Sequence, residues 1–256
     1  MEPTPWSPSY TDVRATRIML EGFKVPTELV LDILDRARYW PSQILIGRST
    51  RVESKANVCL YGSVWSENIF QGLGGEEENL KLREIEFDIL SRDQGWTSQG
   101  TEGTYNTSSW LEISIMRRRP DYSGPSIAVS ANDIIPIVEA DIEKIAFWNS
   151  GDLRHLIEHR GWAFISRPSS AQRYPQEGDE SIAWYLQGNK VATEASELSK
   201  VVWAMDKWVG IEGSGKGEGF LEELKKGDLV LIWARAKFPG WVCDVKSIRM
   251  TIRFGV

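Results

Sequence analysis

The sequence is poor in the side chains that most often carry nucleophilic catalysis. It has two histidines and two cysteines among 256 residues, and no serine stands in a Gly-x-Ser-x-Gly turn. A Ser-His-Asp set needs a positioned histidine, and neither Cys59 nor Cys243 has a recognisable activating neighbourhood. Two cysteines are also too few for a disulfide framework. We therefore expect a reduced protein without a catalytic nucleophile.

The chain also lacks long apolar runs and a leader-like start. No apolar stretch approaches the length that spans a membrane. The opening letters MEPTPWSPSY contain neither the basic nor the apolar region of a signal peptide. These absences predict a soluble cytoplasmic protein with no membrane partner.

Basic charge is not in excess. Thirty Lys and Arg face 36 Asp and Glu, which gives a net charge of −6. Binding to phosphates favours a basic face, so no nucleic-acid partner is expected.

Three short patterns come close to motifs of catalysis or cofactor binding. His155 and His159 have the spacing of two zinc ligands on one helix face, but the helix is short and no second helix offers an obvious third ligand. GIEGSGKG lacks the Ser or Thr that follows the lysine of a phosphate loop. Asp93 and Glu112 lie on strands that we expect to pair, which leaves a glycosidase-type carboxylate pair open. No metal and no cofactor are expected.

Tryptophan is abundant, with 12 copies, and many short segments alternate like strands. Residues 1–12 are predicted to be a flexible tail and residues 13–256 a single β-sandwich domain. VRATRIMLEGF predicts a strand, and VPTELVLDILDRARYW predicts a helix at about residues 25–40. Pro26 suits its first position, and its apolar stripe includes Leu29, Val30, Ile33 and Leu34.

The clearest strand covers residues 83–91. Ile85, Phe87 and Ile89 point to one face and charged residues to the other. SSWLEISIMRRRP is its expected partner strand. Many short strands joined by turns predict an all-β fold, a jelly-roll-like β-sandwich with a short helical insertion near the N-terminus.

Polar and aromatic residues collect where two strands end. One exit, SRDQGW, holds Arg92, Gln94 and Trp96, and another holds Arg235 and Lys237 just before FPGW. Apolar walls with a few polar groups are typical of small-molecule sites. The candidate substrate-binding residues are Tyr61, Trp65, Gln94, Trp96, Trp110, Trp184, Trp203 and Trp241. The structural alternative is that Arg92 pairs with Asp93, Gly95 and Gly240 form corners and the tryptophans fill the core.

Several segments resemble a family of fungal proteins, in the same order along the chain. They are SRDQGW…GTY…SSWLE, WYLQGNKVATE, VVWAMD, GEGFLEELKKGD and ARAKFPGWVCDVKSIRM. The pattern is akin to the jelly-roll sandwiches of phloem lectins and F-box-associated sugar-binding domains. VPTELVLDILDRARYW also resembles the first helix of an F-box, but a strand-like segment follows it. This resemblance implies a non-catalytic module that binds a glycan or a protein.

The chain is also similar, in size and in its lack of cofactor motifs, to the fungal hetero-Diels–Alderases of tropolone-sesquiterpenoid biosynthesis. That resemblance implies a cofactor-free enzyme of secondary metabolism that joins a quinone methide to an apolar olefin. Such a cycloaddition needs two small apolar or aromatic substrates held in a reactive pose, with donors to a developing oxyanion. Arg92, Arg235 and Lys237 would be the catalytic donors. A homodimer is compatible with either function.

Overall fold

The computed structural model describes residues 6–47, 49–54, 60–67, 81–122, 154–159, 161–171 and 181–255. Its helices are α1 Tyr10–Gly22, α2 Thr27–Arg36, α3 Arg154–Glu158 and α4 Phe220–Glu223. Its strands are β1 Ser42–Gly47, β2 Thr50–Glu53, β3 Leu60–Glu67, β4 Lys81–Arg92, β5 Ser109–Arg118, β6 Trp162–Phe164, β7 Trp184–Gly188, β8 Glu197–Ala204, β9 Trp208–Val209, β10 Leu229–Ala236 and β11 Val242–Gly255. Among these described residues no helix is both long and apolar enough to cross a membrane.

The strands form two antiparallel sheets. Sheet A has the order β1-β11-β4-β8-β9, with β2 also paired to β11. Sheet B has the order β3-β10-β5-β6, with β7 also paired to β5. If β1 and β2 count as one position, β6 and β7 as another, and β9 as an extension of sheet A, the two sheets have the strand order of a jelly roll. The predicted all-β sandwich is confirmed.

The expected pairing of β4 with β5 is wrong. β4 pairs with β8 and β11 in sheet A, whereas β5 pairs with β10, β6 and β7 in sheet B. In a jelly roll, strands that follow each other in sequence cross from one sheet to the other, so local order does not give the neighbours. Asp93 and Glu112 therefore do not lie on neighbouring strands, which removes the basis of the carboxylate pair.

The core lies between the two sheets. The inward residues predicted for β4, Ile85, Phe87 and Ile89, are completely buried. From β5 the inward set begins at Leu111, and Ile113 continues it. Side chains alternate between the two faces of a strand. Every second residue of β4 therefore faces sheet B, and every second residue of β5 faces sheet A.

Along β5 and β10 the outer face of sheet B is buried as well. On β5 it carries Trp110, Glu112 and Ser114, and on β10 it carries Trp233 and Arg235, each at most 1% exposed. A strand covered on both faces has no solvent side, which explains why LVLIWARA is apolar almost without interruption.

The strand predicted for VRATRIMLEGF is wrong, because this segment forms α1. Ser9 and Asp12 make a capping box at its start: the Asp12 N–H donates to Ser9 Oγ at 3.2 Å and the Ser9 N–H donates to Asp12 Oδ2 at 2.8 Å. Val13 is buried against α2, whereas Ile18 and Met19 stay exposed. The apparent alternation therefore mixed residues from different faces of a helix.

The helix predicted near residue 30 is confirmed as α2, with Pro26 at its N-cap. Only part of the predicted apolar stripe is buried. Val30 and Leu34 are buried, whereas Leu29 and Ile33 are 53% and 46% exposed.

Candidate ligand-binding site

A glycine-rich segment, residues 210–219, joins β9 of sheet A to α4 and lies along β7 of sheet B. The N–H of Gly188 donates to the carbonyl of Gly213 at 2.8 Å, and the N–H of Gly215 donates to that of Leu186 at 2.9 Å. The segment thereby extends sheet B and lies between the edges of the two sheets.

Three indole groups donate to the carbonyls of this segment. Trp203 Nε1 and Trp208 Nε1 donate to the Gly215 oxygen at 2.8 and 2.9 Å, and Trp184 Nε1 donates to the Glu218 oxygen at 2.8 Å. Hydrogen bonds to buried carbonyls satisfy donors that burial would otherwise leave unpaired. The tryptophans therefore fix the shape of the segment.

Close packing explains the spacing of its glycines. A Cβ at Gly215 would overlap the carbonyl of Tyr185, and one at Gly217 would overlap the indole of Trp203. Gly217 also has a φ of +65°, which L side chains rarely adopt. The glycines of the pattern that is close to a phosphate-loop motif thus allow the segment to pack tightly against β7 and β8.

The segment forms most of an open cleft, which we call the Trp208 cleft. Its volume is about 650 Å³, within the usual range for ligand pockets. The cleft is lined by Ser170, Trp208, Gly210, Ile211, Glu212, Ser214, Lys216 and Glu218. The Trp208 indole remains 39% exposed.

Three charged side chains of the cleft have no ion-pair partner among the described residues. They are Glu212, Lys216 and Glu218. The hydroxyl of Ser214 is already used, because it donates to Gln187 Oε1 at 2.6 Å and accepts from the Ile211 N–H at 3.0 Å. The groups left to meet a ligand are therefore mainly charged.

Two carboxylates act on a tyrosine that packs against the glycine-rich segment. The ring of Tyr105 packs so closely on Gly213 that a Cβ there would overlap it. Burial raises the pKa of the Tyr105 phenol, and the charges of Glu197 and Glu212 raise this pKa further.

A second place of interest, the Gly-Trp corner, consists of residues 92–96 and 238–241. Gln94 holds its two halves together: its Nε2 donates to the Trp96 carbonyl at 2.6 Å and its Oε1 accepts from the Val242 N–H at 3.2 Å. A Cβ at Gly240 would lie 3.4 Å from the Trp96 ring. Trp96 is 59% exposed, whereas Trp241 is 5% exposed and belongs to the core.

Arg92 and Asp93 do not pair with each other. Arg92 Nε donates to Asp244 Oδ2 at 3.2 Å, and its Nη1 donates to the Glu194 carbonyl at 2.7 Å. Burial raises the pKa of the Asp93 carboxyl, although the N–H groups of Gly95 and Ala192 each donate to it at 2.8 Å. Asp93 therefore stabilises the corner by joining the backbone at Gly95 to the backbone at Ala192.

Arg235 lies in a buried cluster outside the core between the sheets. Its Nη1 is 3.0 Å from both oxygens of Glu112, and its guanidinium lies 4.7 Å from the ring centroid of Trp110. Trp110 Nε1 also donates to Glu112, at 3.1 Å. A role of Arg235 or Trp110 at a substrate stays a prediction.

The remaining candidates are distributed over other places. Lys237 follows β10, with Nζ 5.0 Å from the ring centroid of Phe238. Tyr61 and Trp65 lie on β3, opposite Arg235 and Ile232, and their side chains are outside the described part. Trp184 and Trp203 are core residues.

The structure thus brings Gln94 and Trp96 together in the Gly-Trp corner, whereas Trp241 belongs to the core and Arg235 binds Glu112 in the buried cluster. Sequence reasoning missed Trp208 and the charged residues of its cleft. The available signal was a tryptophan followed directly by a glycine-rich, charged segment. Among the described residues no group of three His, Cys, Asp or Glu could hold a metal ion.

Comparisons with known proteins give little. No family model matches the chain, and no curated protein matches it. Five solved chains match, among them one from "The Structure of Tomato Aspermy Virus by X-Ray Crystallography". It is 10% identical over 85% of this chain and 78% of that chain, with a TM-score of 0.23. A TM-score this low supports no argument about fold or function.

Proposed function

We propose that the protein is a non-catalytic carbohydrate-binding module that holds a sugar in the Trp208 cleft. The carrying observation is the combination, in one open cleft of about 650 Å³, of a partly exposed indole with three charged side chains that have no ion-pair partner among the described residues.

The chemistry of a sugar matches this combination. A pyranose ring has a face of C–H groups, which packs on an aromatic ring, and a rim of hydroxyl groups, which hydrogen-bond to polar side chains. The hydrogen bond from Trp208 Nε1 to Gly215 fixes the indole before a ligand arrives. A fixed ring loses little entropy on binding.

The cofactor-free cycloaddition stays a hypothesis. It requires apolar walls and donors that are directed to one substrate oxygen. Arg92 donates to Asp244 and Arg235 donates to Glu112, and the Trp208 cleft has charged groups in its lining. These contacts favour the binding module.

The test is a glycan array with the purified protein, followed by calorimetric titration of each sugar that binds. Trp208→Ala should weaken binding at least about tenfold, as expected for an aromatic residue at the centre of a contact. Trp6→Ala is the matched control, because Trp6 is 76% exposed and packs on Tyr39, outside the cleft lining. Circular dichroism should show that both variants are folded.

Two results would contradict the proposal. One is an array without a signal above background. The other is formation of a cycloadduct from a quinone-methide precursor and humulenol, with a yield and stereochemistry that differ from the protein-free reaction.

A further inference from the structure

We infer that the Trp208 cleft selects a sugar that carries a positively charged amino group and discriminates against sugars with a carboxylate. This inference rests on the proposed function and specifies the ligand class of the same site.

The first support is the balance of charges in the cleft. Glu212 and Glu218 bring two carboxylates, whereas Lys216 brings one ammonium group. The buried Glu84, by comparison, lies within 3.2 Å of nitrogen atoms of Arg38, Lys207 and Arg253. The two cleft carboxylates lack such a partner among the described residues, so a ligand cation would be the first to reach them.

The second support is hydrogen-bond chemistry. Ionised carboxylates only accept hydrogen bonds, and an ammonium group offers three donors. Lys216 can only donate, which suits the hydroxyl and ring oxygens of a sugar. Because the Ser214 hydroxyl is bonded to Gln187, it does not compete for the amino group.

The third support is the surrounding field. Glu197 and Glu212 act on Tyr105 beside the glycine-rich segment, where their charges add to burial in raising the phenol pKa. The chain as a whole has a net charge of −6. A negative net charge attracts a cation and repels a sugar carboxylate during association.

The test is an array that presents glucose, galactose and mannose, each as the parent sugar, as the 2-amino sugar and as the uronic acid. We expect the amino form to bind better than the parent by about two- to fivefold per carboxylate, the range of a solvent-screened ion pair. The uronic acid should bind worst. Added salt should reduce the preference.

Glu212→Gln should lower the ratio of amino-sugar to parent-sugar affinity. Glu222→Gln is the matched control, since it removes the same charge from an exposed position on α4 that does not line the cleft, and it should keep that ratio. If parent or uronic sugars bind as well as amino sugars, the charge selection is wrong and the binding module stands. If no sugar binds in any form, the proposed function is wrong and the selection falls with it.

Discussion

Tryptophan has two roles in this protein at the scale of single residues. Trp184 and Trp203 fill the core and donate to carbonyls of the glycine-rich segment. Trp208 donates to the same segment but stays partly exposed. A large apolar ring with one donor serves both purposes, because it buries area and satisfies a carbonyl at once.

The buried pair of Arg235 and Glu112 gives a prediction at the same scale. Glu112→Leu should lower the free energy of unfolding by about 3–5 kcal/mol, because the buried guanidinium of Arg235 and the indole N–H of Trp110 both lose their hydrogen bonds to this carboxylate. The double variant Glu112→Leu with Arg235→Met should be more stable than Glu112→Leu alone, because it removes both charges. Urea unfolding of the parent protein, the two single variants and the double variant measures the coupling between the two residues.

The control for that cycle is the exposed pair Arg36 and Asp32 on α2, joined at 2.8 Å. Its two alanine variants should change the free energy of unfolding additively or nearly so. A buried pair that is equally additive would contradict a tightly coupled ion pair.

At the scale of single elements, the conformation of the glycine-rich segment depends on contacts with other strands. Its backbone shape is set by β7, whose Leu186 and Gly188 bond to it, and by indoles from β7, β8 and β9. A short segment that depends on so many external contacts cannot form before the two sheets meet.

Gly215→Ala should therefore destabilise the protein by about 1–3 kcal/mol, since its methyl group would overlap the Tyr185 carbonyl and force the segment away. The same shift should weaken sugar binding in the Trp208 cleft. Thermal unfolding and calorimetric titration measure the two effects.

Gly22→Ala provides the comparison for this prediction. At Gly22, in the last turn of α1, a Cβ meets nothing within 4 Å, so the change should be neutral or stabilising. A Gly215→Ala variant that behaves like Gly22→Ala would show that the segment is not tightly held.

At the scale of the whole molecule, ion pairs join parts that are distant in sequence. Glu84 on β4 contacts Arg38 after α2, Lys207 before β9 and Arg253 on β11. Glu86 on the same strand binds Lys200 and Arg253, at 2.6 and 3.1 Å. These contacts connect sheet A with the segment that follows the N-terminal helices.

The ion pairs of Glu86 with Lys200 and Arg253 should make the protein less stable in acid. Partial burial acts to raise the pKa of Glu86, but Lys200 and Arg253 lower it overall from the usual 4.5. A carboxyl group whose pKa is lower in the folded chain adds stability above pH 4.5, and this contribution is lost as the pH falls through the folded value. Glu86→Gln should thus be less stable than the parent protein at pH 7, by about 1 kcal/mol, and the difference should shrink below pH 4.5.

Urea unfolding at pH 7 and at several values below 4.5 checks this expectation. Asp93, whose pKa is raised by burial, contributes in the opposite direction, so the comparison must use the difference between variant and parent. A difference that stays constant across this pH range would contradict the role of Lys200 and Arg253.

The amino-acid sequence alone was sufficient to predict the fold class, the course of β4 and β5 and the inward residues of β4. It determined these because side-chain alternation along a strand is a local property with a period of two residues. It failed for α1, where a capping box decided the helix although the apolar pattern resembled a strand. It placed Gly95 and Gly240 at corners, and both have a φ of +84° in the structure.

The pairing of the strands, the burial of each tryptophan and the position of the cleft depend on how the two sheets pack. Trp203 is buried because Phe220 and Gly217 pack on it, and both follow it by more than ten residues. Trp208 is left partly open because its hairpin ends at the edge of sheet A. Burial of a side chain depends on residues that folding brings from elsewhere in the chain, so local patterns predicted the strands and only the packed sandwich defined the site.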